Sequence, residues 1–408
     1  MDDPTLMYLT FAVVVLMLGL LCTLMAKKLR FPDVLLLVIT GILLNNLVYQ
    51  GGPMAILSPL FLTSIGIIAM VMVVFDSASR FKFKEFDDLS LQSLKLIVVF
   101  LLLNLLILAP LTMVMAGFPF KLYFFILALI FASAMSGTDA AIVLTVFKGA
   151  KSKVTNFLEV ESLLNTPVTV LMPFILLDVA IGLGIGEKIN FIKHVIPFLT
   201  QFVAGIGAGV LVGILLFKVM RKYYSEQLSP LAIIVSALLT YILAEWIGGN
   251  GVLAVTALGL VFGSVYIKQK VFLMEFSSIF SSSLQIFVFV LVGFIIALPP
   301  TPDFLIKSSA LFAVYVLVRF LAVHISFTTR YNLKEKLFMS FTMPKGIAVA
   351  VVVFSLAGYN LEGLANMLHF MLVFILYSIL LASIAAKYSN YFIKADVVKE
   401  GPVLAVKK

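Results

Sequence analysis

Long apolar stretches alternate with short polar connections along the whole chain, and this pattern predicts a bundle of membrane-spanning helices. Runs of bilayer length lie near residues 6–25, 33–49, 55–75, 93–116, 121–147, 154–182, 192–217, 229–246, 252–267, 279–298, 307–328, 335–357 and 365–386. The pattern therefore predicts an all-α polytopic membrane protein with about thirteen transmembrane helices. We expect one membrane domain spanning residues 1–408.

Composition supports the membrane interpretation and excludes several classes of function. The chain is 62% hydrophobic and 12% charged, whereas a soluble domain has about 25% charged residues. A single cysteine, Cys22, rules out an internal disulfide and a cysteine-based metal site. The sequence contains no nucleotide-binding loop and no catalytic triad motif. We therefore expect no enzymatic activity, no cofactor and no nucleic-acid partner.

Lysine and arginine concentrate on alternate connections, which predicts an orientation in the bilayer. One side carries Lys27, Lys28, Arg30, Arg80, Lys82, Lys84, Lys148, Lys151, Lys153, Lys218, Arg221, Lys222, Lys268, Lys270, Arg330, Lys334, Lys336 and the lysines of the C-terminal tail. The other side carries only Lys121, Lys188, Lys193 and Lys307. Because basic loops stay in the cytoplasm, we expect an external N-terminus and a cytoplasmic C-terminus in a cell membrane.

A few charged and polar side chains lie inside the apolar runs. They include Asp139, Glu161, Ser162, Asn165, Thr166, Arg319 and Lys345. A charge at the centre of a bilayer costs about 2.5–3.5 kcal/mol on insertion scales, so such residues mark a functional site by default. Glu161 and Asn165 are four residues apart and share one helix face, with Ser162, Thr166 and Thr169 on the neighbouring face.

The two halves of the chain contain similar strings around two of these charges. MSGTDAAIVLTVF surrounds Asp139, and TMPKGIAVAVVVF surrounds Lys345. Each has small or helix-breaking residues, then a charge, then a β-branched apolar run. In transporters such pairs mark inverted repeats whose broken helices cross at the middle of the membrane. A chance likeness between two apolar runs is the alternative.

Taken in order, these strings resemble the NhaP-type sodium/proton antiporters of the cation/proton antiporter superfamily. LEVESLLN resembles the family's LExES[IL]xND motif, and SGTDAAIVL resembles its TDP helix break. MPKGIAVAV resembles its GPRGVV segment, with Lys345 where the family usually has arginine. VVFDSASRF and VRFLAV also match in order, so the resemblance covers nearly the whole chain.

The resemblance implies an NhaA-like antiporter fold in the lipid bilayer, with two inverted repeats and usually a homodimer. It implies a dimerisation part in helices near 6–75 and 192–298, and a core ion-transport part in 93–182 and 307–386. The implied activity is exchange of Na⁺ or Li⁺, with K⁺ as an alternative, for protons by alternating access. No cofactor is implied beyond these transported ions.

The resemblance also assigns expected roles to residues of this chain. It places Thr138, Asp139, Ser162, Asn165, Thr166 and Asp76 along the ion path, the first five as candidate Na⁺ ligands. It implies an ion pair between Glu161 and Lys345 where the broken helices cross. Glu159 lies on a different helix face from Glu161, and we expect it near Arg319.

Two departures from the family pattern leave the function open at this stage. Asn165 is followed by Thr166 where the family has an ion-binding aspartate, and Ala140 replaces the TDP proline. Threonine offers an oxygen to a cation but does not titrate, so proton coupling would have to pass to Asp139, Glu161 or Asp76. One alternative is a carrier of the same fold with altered or lost coupling, such as a small-organic-anion carrier or an uncoupled cation pathway. The other is a non-transporting sensor or scaffold.

Overall fold

The computed structural model describes residues 4–29, 33–48, 59–81, 88–139, 152–184, 191–265, 269–295 and 301–393. The part of the fifth predicted span from 140 to 147 lies outside these residues. So do basic residues such as Arg30, Lys82, Lys84, Lys148, Lys151, Lys188 and Lys268, whose side of the membrane remains a prediction from the sequence.

Helices account for nearly all of the described chain. The first half contains α1 (Pro4–Leu29), α2 (Asp33–Val48), α3 (Pro59–Ser79), α4 (Asp88–Leu103), α5 (Ala109–Met115), α6 (Leu122–Ala134) and α7 (Lys153–Gly184). The second half contains α8 (Phe191–Lys222), α9 (Leu228–Trp246), α10 (Gly251–Ser264), α11 (Lys270–Ile295), α12 (Pro302–Ser326), α13 (Leu333–Phe341), α14 (Ile347–Leu356), α15 (Leu364–Lys387) and α16 (Ser389–Phe392).

Each of the thirteen predicted spans coincides with helix in the structure, so the all-α membrane fold is confirmed. By length and composition, eight described helices are long and apolar enough to cross a membrane, and shorter apolar helices lie within the remaining spans. The fourth span combines α4 and α5 through a π-helical turn at Asn104–Leu108. Pro110 follows at once, and because it lacks a backbone N–H it cannot continue the regular hydrogen-bond ladder.

Two spans are interrupted, at the two similar strings that the sequence analysis compared. α6 ends at Ala134, and residues 137–139 have no helical structure. The twelfth span is divided into α13 and α14 by non-helical residues 342–346. Glycine and proline in these strings favour an interruption, because proline removes a backbone donor and glycine weakens a helix. The predicted break in the twelfth span is therefore present, and the fifth span loses its helical structure at the predicted string.

The helices pack in two groups, with the interrupted segments between them. α1, α2 and α3 pack with α8, α9, α10 and α11, whereas α4, α6 and α7 pack with α12 and α15. α14 touches both groups, since it packs on α3 and on α7. Within the first group, α2 and α11 approach until their backbones touch. A methyl group at Gly41 would overlap the Val290 carbonyl, and one at Gly293 would overlap the Val38 carbonyl.

Candidate functional site

The two interrupted segments cross in direct contact. The backbone N–H of Asp139 donates to the carbonyl of Pro344 at 2.9 Å. In the opposite direction, the Lys345 ammonium donates to the Met135 carbonyl at 2.6 Å and to the Gly137 carbonyl. Backbone groups that an unbroken helix would bond internally are thus bonded across the crossing.

Each broken helix presents its charged residue to the end of the other. Lys345 is fully buried, and its ammonium lies at the C-terminal end of α6, where the helix dipole is negative. The Asp139 carboxyl packs against Gly346, the residue that caps the N-terminus of α14, where the dipole is positive. Any side chain at Gly346 would overlap this carboxyl group. The crossing therefore requires glycine at this position.

The predicted ion pair between Glu161 and Lys345 is wrong, because Glu161 pairs with Arg319. The Arg319 Nη1 and Nη2 atoms each lie 2.7 Å from an oxygen of the Glu161 carboxylate, and both side chains are at most 1% exposed. Arg319 also stacks on Phe100, with 4.8 Å between its Cζ atom and the ring centre. The planar guanidinium suits a buried carboxylate better than a lysine ammonium does.

Lys345 instead has carbonyl oxygens and the hydroxyl of Tyr315 as partners. That hydroxyl donates to the Met135 carbonyl at 3.0 Å. The expected contact between Glu159 and Arg319 is also wrong, since Arg319 turns to Glu161 and Glu159 lies in the wall of a cavity. The sequence places Glu159 and Glu161 on different helix faces but does not indicate which face meets α12.

Asn165 holds the first interruption against α7. Its Nδ2 donates to the Ser136 carbonyl at 2.8 Å. Two longer contacts, both of 3.5 Å, join Nδ2 to the Thr138 hydroxyl and that hydroxyl to the Glu161 carboxylate. Asn165 is 1% exposed. It therefore positions Thr138 from the buried side, while Thr138 itself faces a cavity.

A cavity of about 340 Å³ lies beside the crossing, and we call it the crossing cavity. Its walls include six of the residues singled out from the sequence, namely Asp76, Thr138, Asp139, Glu159, Ser162 and Thr166. Asn165 is buried behind the wall, and the Glu161–Arg319 pair is fully enclosed in the protein. The structure therefore brings together most of the predicted ion-path residues, and their role as ligands remains a prediction.

The segment around Thr166 offers neutral oxygens to this cavity. The Thr166 hydroxyl donates to the Ser162 carbonyl at 2.8 Å, so its lone pairs remain as acceptors. Pro167 lies inside α7 and has no N–H to give to the carbonyl of Leu163, four residues earlier. Leu163 also lines the cavity. Hydroxyl and carbonyl oxygens of this kind are suitable ligands for a hard cation.

α11 contributes a polar wall that the sequence analysis did not identify. Ser278, Ser281, Ser282 and Gln285 all line the crossing cavity. Their spacing places them on one face of an otherwise apolar helix. The spacing of these residues within the string SSIFSSSLQ is the sequence signal from which this polar face could have been predicted.

Asp76 and Arg80 lie at the end of α3 on the same cavity. Arg80 Nη2 donates to Asp76 Oδ2 at 3.0 Å and to the Ser278 hydroxyl at 3.1 Å. The guanidinium is half-exposed, whereas Asp76 is nearly buried. Arg80 thereby connects α3 with α11 and places a positive charge beside the carboxylates of the cavity.

Comparison with known proteins identifies relatives of one kind. The family model described as sodium/hydrogen exchanger, transmembrane, matches residues 13–388. The chain is 25% identical over 347 residues to the K⁺/H⁺ antiporter NhaP of Alkalimonas amylolytica, which covers 83% of this chain and 58% of that protein. It is 37% identical over 153 residues to the Na⁺/H⁺ antiporter NhaG of Bacillus atrophaeus, covering 34% of this chain and 26% of that protein. The aligned regions thus span less than two thirds of these relatives.

A solved structure has the same fold over nearly all of both chains. The sodium proton antiporter MjNhaP1 from Methanocaldococcus jannaschii superposes with a TM-score of 0.79, covering 95% of this chain and 98% of that one. The sequence identity is 19%. The match confirms the predicted antiporter-type fold.

Proposed function

Because the chain belongs to the sodium/hydrogen exchanger family, we propose that it exchanges a monovalent cation for protons by alternating access. The observation that carries this proposal is the crossing of the two interrupted segments beside a cavity that contains Asp76, Asp139 and Glu159. A carboxylate in such a place holds either a proton or a metal ion, and this competition couples the two fluxes.

We assign the cation to the oxygens of Thr138, Asp139, Ser162 and Thr166, with Asp76 nearby. A hard monovalent cation takes carboxylate, hydroxyl and carbonyl oxygens together. Asn165 then acts as a positioning residue, since its amide bonds to the Ser136 carbonyl. Na⁺, Li⁺ and K⁺ all fit this description of the ligand set.

We assign the titrating role to Asp139, because Thr166 cannot titrate. Asp139 is partly exposed to the cavity, whereas Glu161 is held by Arg319. The positive end of the α14 dipole stabilises the negative charge of this carboxylate, and the cavity makes it accessible to cations and to water. Glu161 and Arg319 form a fixed structural pair in this scheme.

The proposal extends to assembly and placement in the membrane. The helices near 93–182 and 307–386 form the moving core, those near 6–75 and 192–298 form the scaffold and dimer contact, and the protein is a homodimer. It lies in the cell membrane with its N-terminus outside. Chemical cross-linking in membranes, followed by measurement of mass, tests the dimer.

Proton movement in proteoliposomes tests the transport proposal. An imposed gradient of Na⁺, Li⁺ or K⁺ should drive proton movement by the wild-type protein, and Asp139→Asn should abolish it. Asp303→Asn removes an exposed carboxylate that pairs with Lys307 and should leave the flux unchanged. Thr166→Asp adds a second titrating group beside Asn165 and should strengthen coupling. If neither wild type nor Thr166→Asp moves a cation, the antiport proposal is wrong.

A further inference from the structure

A second cavity, of about 750 Å³, lies towards the opposite end of α3. We call it the opposite cavity. Its walls come from α3, α7, α8, α9, α10 and α14, and from the turn that joins α9 to α10. Leu60 and Thr63 of the first turns of α3 line it, whereas Asp76 and Arg80 at the other end of α3 line the crossing cavity. The two cavities thus lie beside opposite halves of α3.

Met70 and the side chains around it lie between the two cavities. Met70 is 1% exposed and belongs to the walls of both. On α7 the wall passes from Thr169 in the crossing cavity to Val170 in the opposite cavity. α3 and α14 are in tight contact here, since a methyl group at Gly66 would lie 3.0 Å from Val351. Met70 and the contact between Gly66 and Val351 therefore form an apolar barrier between the two cavities.

The opposite cavity has a carboxylate in its wall. Among its described lining residues, Glu245 is the one with a charge. Glu245 Oε1 accepts the backbone N–H of Gly251 at 2.8 Å, so the carboxylate is held in place. The crossing cavity, in contrast, includes Arg80 among its lining residues.

Neutral oxygens accompany this carboxylate. Side chains of Thr63, Gln201, Tyr241, Ser355 and Tyr359 line the same cavity. The turn beside Glu245 is fixed by backbone contacts, since the N–H of Asn250 donates to the Gln201 carbonyl at 2.9 Å. A single fixed carboxylate among hydroxyl and amide groups suits a cation of one charge that keeps part of its water shell.

We propose that the opposite cavity binds a monovalent cation at Glu245, across the Met70 barrier from Asp139. This inference rests on the proposed antiport, in which it supplies a capture site on the second side of the membrane. A negative group in a cleft with low-dielectric walls raises the local concentration of cations. The site loads the cation before the barrier opens, and it discriminates against anions.

Glu245 also has a structural role that the test must separate from binding. Its carboxylate accepts the Gly251 N–H at the start of α10. Glu245→Gln retains a side-chain oxygen that accepts this hydrogen bond and removes only the charge. Glu362→Gln is the matched control, because Glu362 is exposed, follows α14 closely in the chain and is not a lining residue of the opposite cavity.

The test measures thiol reactivity inside the cavity, without transport. Ser355→Cys is introduced together with Cys22→Ser, and the protein is placed in nanodiscs so that both faces are accessible. Its reaction rates with a cationic and an anionic methanethiosulfonate are compared at constant ionic strength. Glu245→Gln should lower the ratio of cationic to anionic rates by about threefold or more. Na⁺, Li⁺ or K⁺ should slow the cationic reaction relative to choline, and Glu245→Gln should remove this protection.

The results of this experiment test the capture site independently of the antiport proposal. An unchanged ratio in Glu245→Gln, an equal change in Glu362→Gln, or equal protection by choline overturns the capture site. Protection that persists in Asp139→Asn supports it, because that variant lacks the proposed titrating group. If Na⁺, Li⁺ or K⁺ slows the cationic thiol reaction but drives no proton flux, the capture site stands and the antiport proposal is wrong. If these ions drive proton flux but do not slow the reaction, the antiport proposal stands and the capture site is wrong.

Discussion

Arg319 on α12 forms a bidentate ion pair with Glu161 on α7. Two guanidinium nitrogens each lie 2.7 Å from a carboxylate oxygen, and both side chains are buried. The pair joins two helices of the same packing group behind the crossing cavity. A buried ion pair adds little net stability, but removal of one partner leaves an unmatched charge. The pair therefore fixes how α7 meets α12.

A double-mutant cycle tests this pair. Glu161→Gln and Arg319→Met should each lower the free energy of unfolding by about 3–5 kcal/mol, and the double variant should lose less than the sum. Thermal unfolding in detergent measures the losses. Asp303→Asn and Lys307→Met, which break an exposed pair of 2.7 Å, should cost about 0–1 kcal/mol. Additive losses at Glu161 and Arg319 would show that the two side chains act independently.

Gly346→Ala tests the closeness of the crossing. The added methyl group would overlap the Asp139 carboxyl group, so the variant should lose cation-driven proton flux even where it still folds. The flux assay in proteoliposomes and the melting temperature are measured together. Gly207→Ala is the control, since a methyl group there meets nothing within 4 Å. It should retain flux and gain up to about 1 kcal/mol of stability. Full activity of Gly346→Ala would show that Asp139 need not pack against α14.

Arg80→Gln tests the electrostatics of the crossing cavity. Arg80 places a positive charge beside Asp76, and that charge opposes a bound cation. The variant should lower the half-saturating cation concentration by about 3–10-fold at low ionic strength, with a smaller effect at high salt. Initial rates of cation-driven proton movement provide the measurement. Lys334→Gln removes an exposed charge elsewhere and should change this concentration little. A higher half-saturating cation concentration in Arg80→Gln would indicate that Arg80 promotes cation binding.

Cysteine labelling tests the predicted orientation. Single cysteines at Lys334 and Glu362, in a Cys22→Ser background, lie at connections that the basic-residue pattern assigns to opposite sides. An impermeant thiol reagent added to intact cells should label the Glu362 position and reach the Lys334 position only after the membrane is opened. Labelling of both positions from outside would contradict the predicted topology.

The sequence by itself determined the helical membrane fold, its thirteen spans and the two interruptions. These depend on local chemistry: apolar length sets a span, and proline and glycine interrupt it. The order of motifs around Asp139, Glu161 and Lys345 also indicated the correct family. Such features can be predicted from the sequence because each depends on one short segment of the chain.

Only the tertiary structure decided which charged groups meet. Glu161 has two basic residues as candidate partners, and the rotation of α7 against α12 selects Arg319 over Lys345. Lys345 instead donates to the carbonyls at the end of α6. Lys345 and Met135 are 210 residues apart in the chain. The serine face of α11 and the opposite cavity with Glu245 likewise depend on how separate helices pack. The spacing of residues within one helix cannot determine those distances, because they are set by the relative rotation and depth of different helices.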